Sequence, residues 1–154
     1  MPIDIACADA RWKRLRELEK LLTKAHALTL SQRDTKKLTA LSLSNDREIK
    51  LLNKDWRGKN KPTNILSFPA AHVKLPRGEV QPLGDLILAY ETCVKEAKAA
   101  GITLRDHAIH LTVHGLLHLV GYDHMNDTDA KKMETKEIRI LTKLGIANPY
   151  VLEA

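Results

Sequence analysis

The segment from Leu104 to Val120 constrains this chain more than any other. Ala108, Leu111, Val113, Leu116, Leu117 and Val120 leave it apolar nearly all the way round at helical spacing. A helix without a polar face belongs in the middle of a fold, not on its surface. Thr103, with Asp106 three residues on, supplies a capping signal at its start. The same segment carries His107, His110, His114 and His118. At about 100° per residue these four rings fall within roughly 80° of arc and face a common cleft.

His114 and His118, four positions apart, lie only about 40° apart around the axis. Gly121, three residues past His118, can end the helix in a left-handed turn and swing His124 back toward the first two. Three neutral imidazoles with an unfilled fourth position are the usual catalytic zinc arrangement, in contrast to the closed four-ligand structural site. The expectation is therefore one Zn2+ per chain on His114, His118 and His124. The same spacing occurs in the metzincin peptidase motif H-E-x-x-H-x-x-G-x-x-H, where Glu after the first His is the general base. Here Gly115 stands at that place, which argues against a peptidase. His110 reads either as a partner behind a ligand or as a substrate contact. His107, near the helix start, reads as solvated, and His26 and His72 join no constellation.

At 154 residues the chain suits one domain with a real core, taken as residues 1–154. No internal repeat or low-complexity tract interrupts it. Met1 to Ala10 contains Asp4 and Asp9 and lacks a basic stretch followed by an apolar run, so it does not read as a secretory signal. No window approaches 18 uninterrupted apolar residues, so no membrane span is expected. Cys7 and Cys93 are far apart and outside any C-x-x-C spacing; the expectation is two buried thiols in a reducing compartment. The net charge of +6 and pI near 9.4 imply attraction to polyanions, nucleic acid among them. Arg11, Lys13, Arg14, Arg16, Lys20 and Lys24 alternate with Trp12, Leu15, Leu18 and Leu22. That run reads first as the solvated face of an amphipathic helix and second as an RNA-contacting surface.

Elsewhere, alternation at Ile3, Ile5 and Cys7 predicts a first strand. Asp9 caps a helix from about Ala10 to Leu28, and Leu38 to Leu43 reads as a second strand. Asn45 with Glu48 opens a short helix to about Leu52. A loop from Lys54 to Pro62 follows, then a strand from Thr63 to Phe68. Ala70 to Pro82, with Pro76 and Gly78, is an exposed connection. Leu86 to Tyr90 predicts an inner strand, followed by helices from Glu91 to Ala100, Leu104 to Val120 and Asp129 to Leu144. The outcome is an α+β fold: a small mixed four-stranded sheet packed with about five helices, with the metal-binding helix at its centre.

Taken with the upstream loop, the motif resembles the YbeY family of bacterial zinc-dependent endoribonucleases. The family's H-G-x-L-H-L-x-G-Y-D-H is matched in full from His114 to His124. Its N-x-x-(aromatic)-R-G stretch is matched by Asn53, Trp56, Arg57 and Gly58, and its P-T-D-V-L-S-F-P by Pro62 to Pro69. G-D-I is met by Gly84-Asp85-Leu86, and the Met-Glu pair after the metal site by Met133-Glu134. The likeness spans about Leu41 to Leu144, with one departure: Asn64 stands where the family usually has Asp. The resemblance implies a cytoplasmic, single-strand-specific endoribonuclease in rRNA processing, notably 3′ end maturation of small-subunit rRNA, and in ribosome quality control. It also implies association with the ribosome or small-subunit assembly factors, and neither DNA nor membrane as a partner.

A zinc site of neutral imidazoles keeps a charge near +2, which suits a phosphodiester better than a neutral peptide bond. Arg57 is the candidate catalytic cation, because a guanidinium binds two phosphate oxygens in a fixed fork. Lys59 and Lys61 supply backbone attraction, and Ser67 and His110 are candidate substrate contacts. Asp123 is a candidate acceptor for a ligand imidazole. No residue identifies itself as a general base, which keeps open an alternative: a non-catalytic RNA-binding ribosome-assembly factor with a structural zinc.

Overall fold

The computed structural model describes residues 2–58, 62–70, 75–76, 78–123 and 125–150, the side chains of Trp56 and Arg57 excepted. Four strands, β1 (Ile3–Cys7), β2 (Leu38–Ser44), β3 (Ile65–Pro69) and β4 (Pro82–Ala89), form one sheet in the order β1-β2-β4-β3. β1, β2 and β4 run parallel, and β3 closes one edge antiparallel to β4. Parallel neighbours need a crossover, which α1 (Leu18–Thr29) provides between β1 and β2. The remaining helices are α2 (Asp46–Arg57), α3 (Tyr90–Ala100), α4 (Leu104–Leu119) and α5 (Asp127–Lys143). This is the expected α+β architecture.

Side chains alternate between the two faces of the sheet. Leu41, Leu43, Leu86 and Leu88 join the main core with α1, α4 and α5, whereas Leu66 and Ala89 pack with Ile49 of α2 on the other side. α4 is buried nearly all round, from Ala108 to Leu119, as its sequence requires. Gly115 lets it lie this close to the sheet. A Cβ there would sit 2.9 Å from Ile65 Cδ1, 2.9 Å from Leu86 Cδ2 and 3.2 Å from Ser67 Oγ. A glutamate at this place, as in the peptidases, would point into the sheet.

Three boundaries differ from the sequence expectation. The helix expected from Ala10 to Leu28 is broken into a 3-10 turn, Ala10–Arg14, and α1. Trp12 causes the break: it is 1% exposed, and its Nε1 donates to Ser44 O at 2.7 Å. Glu17, at φ 59, then re-aims the chain into α1. Arg11 belongs to structure, not to an open basic face, for it pairs with Asp9 (2.9 Å) and Glu91 (3.2 Å). Its guanidinium also lies 4.3 Å over the Tyr90 ring. α2 continues past Leu52 to Arg57, because no helix breaker occurs before Gly58, which takes the left-handed cap at φ 67. Arg57 is thus the last helical residue, not a loop residue. β4 starts four residues earlier than Leu86, where Pro82 and Leu83 still pair with the sheet.

Cys7 is half-buried and Cys93 buried, both free, so only one of the two thiols meets the expectation of burial. Burial first, then Glu96 and Asp46, push the Cys93 thiol up to about 12. Reactive thiolate therefore forms there only far above neutral pH. Iodoacetamide at pH 8 is expected to label Cys7 in the native protein and both cysteines after unfolding, read by mass spectrometry. Gly115→Ala is expected to lower stability by about 1–3 kcal/mol through overpacking, read as a shift in the urea midpoint.

Candidate metal centre

α4 carries its four histidines in a row, but neighbouring elements give each ring a different partner. His107 Nε2 lies 2.9 Å from Glu96 Oε1 of α3, and the ring is 12% exposed. It is not solvated as its place near the helix start suggested, because α3 packs alongside and its carboxylate meets the ring. Glu96 also accepts from Asn64 Nδ2 at 3.1 Å, while Asn64 Oδ1 accepts from Ile65 N at 2.7 Å. An aspartate could make the second of these bonds but not the first, and would set two carboxylates against each other. The neutral amide is the group that fits between the strand N–H and Glu96.

One turn further on, the rings meet Glu137 of α5. Its Oε1 accepts from His110 Nε2 at 2.8 Å, from the Tyr150 hydroxyl at 2.9 Å and from His114 Nδ1 at 3.2 Å. Glu137 is fully buried, which alone would push its carboxyl up. The hydrogen bonds from His110 and His114 outweigh that and hold it below the usual carboxylate range. Burial, together with the carboxylate, raises the Tyr150 hydroxyl, so it stays a donor. The other oxygen, Oε2, is buried without a hydrogen-bond partner among the described residues.

This anchor decides the chemistry of His114. A proton on Nδ1, donated to Glu137, leaves Nε2 as a lone pair. That Nε2 lies 3.0 Å from His118 Nε2, with ring centroids 4.6 Å apart and planes at 80°. Two nitrogens bound at about 2.0–2.1 Å to one tetrahedral ion are roughly 3.3 Å apart. The pair therefore fits a divalent ion with little adjustment, and the Glu137 bond is the support that metal-ligating imidazoles need. Among the described residues no group of three such ligands converges. His124, Lys59 and Lys61 lie outside the described residues, as does the Arg57 side chain.

The turn that would bring His124 back is present. Gly121 N donates to His118 O at 3.1 Å and Tyr122 N to Leu117 O at 3.0 Å, with Gly121 at φ 101. These are the two bonds of a Schellman cap, which calls for a left-handed residue at this place. His114 and His118 open into a cleft of about 690 Å³ whose lining includes Asn64, Ile65, Ser67 and Leu111. Ser67 thus shares a cavity with the two rings. His110 faces Glu137 and Tyr150 instead.

The family model described as Endoribonuclease YbeY matches residues 5–145. The chain belongs to the YbeY family. A relative from Azorhizobium caulinodans named Endoribonuclease YbeY is 45% identical, over 100% of this chain and 99% of its own. Another of that name from Sphingopyxis alaskensis is 52% identical, over 72% and 70%. A Thermotoga maritima protein solved in solution shares the fold, with a TM-score of 0.56 at 22% identity over 97% of this chain and 99% of its own. The span matched to the YbeY model takes in α4, the Gly121 turn and α5.

Glu137 is the residue that sequence reasoning missed, although a signal was present. It sits within the apolar stripe of α5, flanked by buried Met133, Ile140 and Leu141, where a charge survives only with partners. Glu137→Gln is expected to weaken Zn2+ binding about 10- to 100-fold, measured by competition with a chromophoric chelator.

Proposed function

We propose that this protein is a zinc-dependent, single-strand-specific endoribonuclease that acts in rRNA processing, including 3′ end maturation of small-subunit rRNA, and in ribosome quality control. The observation that carries the reading is the facing pair of Nε2 atoms on His114 and His118, 3.0 Å apart, with His114 anchored through Nδ1 on buried Glu137. Membership in a family described as endoribonuclease supplies the reaction class.

In this reading His114, His118 and His124 hold one Zn2+. The ion supplies Lewis acidity toward a phosphoryl oxygen and acidifies water. Glu137 keeps His114 in the tautomer that offers Nε2, and His110 and Tyr150 complete the shell of that carboxylate. Arg57, at the end of α2, binds phosphate oxygens and offsets the charge that develops on them. Ser67 contacts substrate from the cleft wall, while Lys59 and Lys61 add attraction for the strand. RNA is the substrate, and the ribosome or a small-subunit assembly factor is the partner that delivers it. The setting is the cytoplasm; among the described residues no helix is long and apolar enough to cross a membrane.

Purified protein is expected to contain about one zinc per chain and to cut single-stranded RNA but not duplex. His114→Ala should abolish both properties, and Arg57→Glu should keep the metal and lose cleavage. In cells, replacement by His118→Ala should leave small-subunit rRNA with extended 3′ ends. Full-rate cleavage by metal-free protein would overturn the reading. RNA binding without metal-dependent turnover, after rigorous nuclease removal, would replace it with an assembly factor holding a structural zinc.

A further inference from the structure

The outward face of α5 carries a charge pattern that folding does not require. Its exposed positions are Asp127, Thr128, Lys131, Lys132, Thr135, Arg139, Thr142 and Lys143, with Lys136 half-buried at their edge. Past the first turn, none of the exposed positions is a carboxylate. Asp127 and Asp129 lie in the first turn, Asp129 about 20° beyond Lys136 around the axis, while Glu134 and Glu137 project from other sides of the helix. Lys132, Lys136, Arg139 and Lys143 fall within about 60° of one another at 100° per residue. Lys132 and Lys136, and Arg139 and Lys143, are like charges at i,i+4, and Lys136 and Arg139 are like charges at i,i+3. Such pairs destabilise a helix. The cations of α5 form no ion pair among the described residues. Arg11, by contrast, near the start of the other basic run, is bridged to Asp9 and Glu91.

This stripe adjoins the metal centre. Lys136 Nζ lies 5.0 Å from the centre of the Tyr122 ring, and Tyr122 belongs to the Gly121 turn that follows the histidine helix. Tyr122, Lys132, Lys136 and Arg139 help line an open groove of about 480 Å³. Over the 11 steps from Lys132 to Lys143 the cations extend about 16 Å along the axis. The hydroxyls of Thr135 and Thr142 donate to Lys131 O and Ile138 O of the helix itself, so the cations are the groups that this face offers to phosphate oxygens.

We propose that the outer face of α5 is a track for the phosphodiester backbone of single-stranded RNA, guiding the part of the strand that flanks the cleavage site. This rests on the endoribonuclease reading and adds to it where the strand runs. Of the apolar residues of α5, Met133, Ile140 and Leu141 are buried in the core and Ala130 and Ile138 partly so, and a face of Lys, Arg and Thr has nothing to insert into a lipid surface. A single-stranded polyanion fits it better.

The test uses the zinc-loaded full chain and a 20-nucleotide 2′-O-methyl RNA, which reports binding apart from cleavage, with affinity read by fluorescence anisotropy across a salt series. K132Q/K136Q/R139Q is expected to weaken binding about tenfold at low salt. It should also lower the slope of log affinity against log salt by about 2, since each single-strand phosphate that a cation neutralises adds about 0.7 to that slope. K13Q/K20Q/K24Q, with the same loss of net charge from exposed positions near the N-terminus, should change neither. K132R/K136R/R139K should bind as the wild type does. Thermal unfolding of the stripe variant should occur close to that of the wild type, the repulsion removed offsetting the lost contact of Lys136 with the Tyr122 ring. Unchanged affinity and slope in the stripe variant, or an equal loss in the N-terminal variant, would overturn the track. Binding to phosphatidylglycerol vesicles that depends on the stripe, with RNA affinity unchanged, would reassign the face to lipid and overturn it too. A wild type that binds RNA through the stripe but never cuts it would sink the nuclease reading and leave the track standing.

Discussion

The close seat of α4 on the sheet governs the rest of the molecule. Gly115 has no side chain where Ile65, Ser67 and Leu86 approach, so the helix can bury apolar residues around nearly its whole circumference. Burying a large aliphatic side chain is worth about 1.5–3 kcal/mol, so this one helix supplies much of the cohesion between the sheet, α1, α3 and α5. The same seat puts His114, next to Gly115, and His118, one turn on, beside β3 and the cleft that Ser67 lines. One residue thereby serves packing and site together. It also removes the carboxylate that a peptidase of this spacing needs.

Onto that helix α5 brings a single buried charge. A carboxylate with no exposed area is costly unless it is fully partnered. Here three donors, from His110, His114 and Tyr150, gather on one oxygen. The result is directional: the proton on His114 Nδ1 is held by Glu137, and Nε2 is left to face His118. The C-terminal segment, through Tyr150, is drawn into the same arrangement, so the site depends on three separate stretches of chain. A second carboxylate, Glu96, organises the other end of the row by accepting from His107 and Asn64. Asn64 in place of the family's usual aspartate suits that neighbour, because the amide donates where a carboxylate would repel.

Features governed by interactions within a few residues are legible in the sequence. The caps at Asn45, Thr103 and Gly121 depend on side chains and backbone groups at most a few positions apart. The placement of His114 and His118 on one face follows from helix geometry alone, and the alternation in β1 from the strand period. The boundaries that differ do so through longer-range packing or because local polarity imitates a loop. Trp12 leaves helical spacing to reach Ser44, 32 residues away. The polar stretch from Lys54 to Arg57 resembles a loop in composition, although nothing there stops a helix.

Sequence therefore settled the fold class and the facing histidines, because a helix repeats every 3.6 residues whatever surrounds it. The tautomer of His114, the role of Glu137, the partners of His107 and the necessity of Gly115 were decided by the tertiary structure. His114 and Glu137 are 23 residues apart, and Gly115 meets strands about 30 and 50 residues before it. No local periodicity encodes which side chain will stand opposite another across two packed elements; that is set only when burial brings them together and polar groups are matched across the contact.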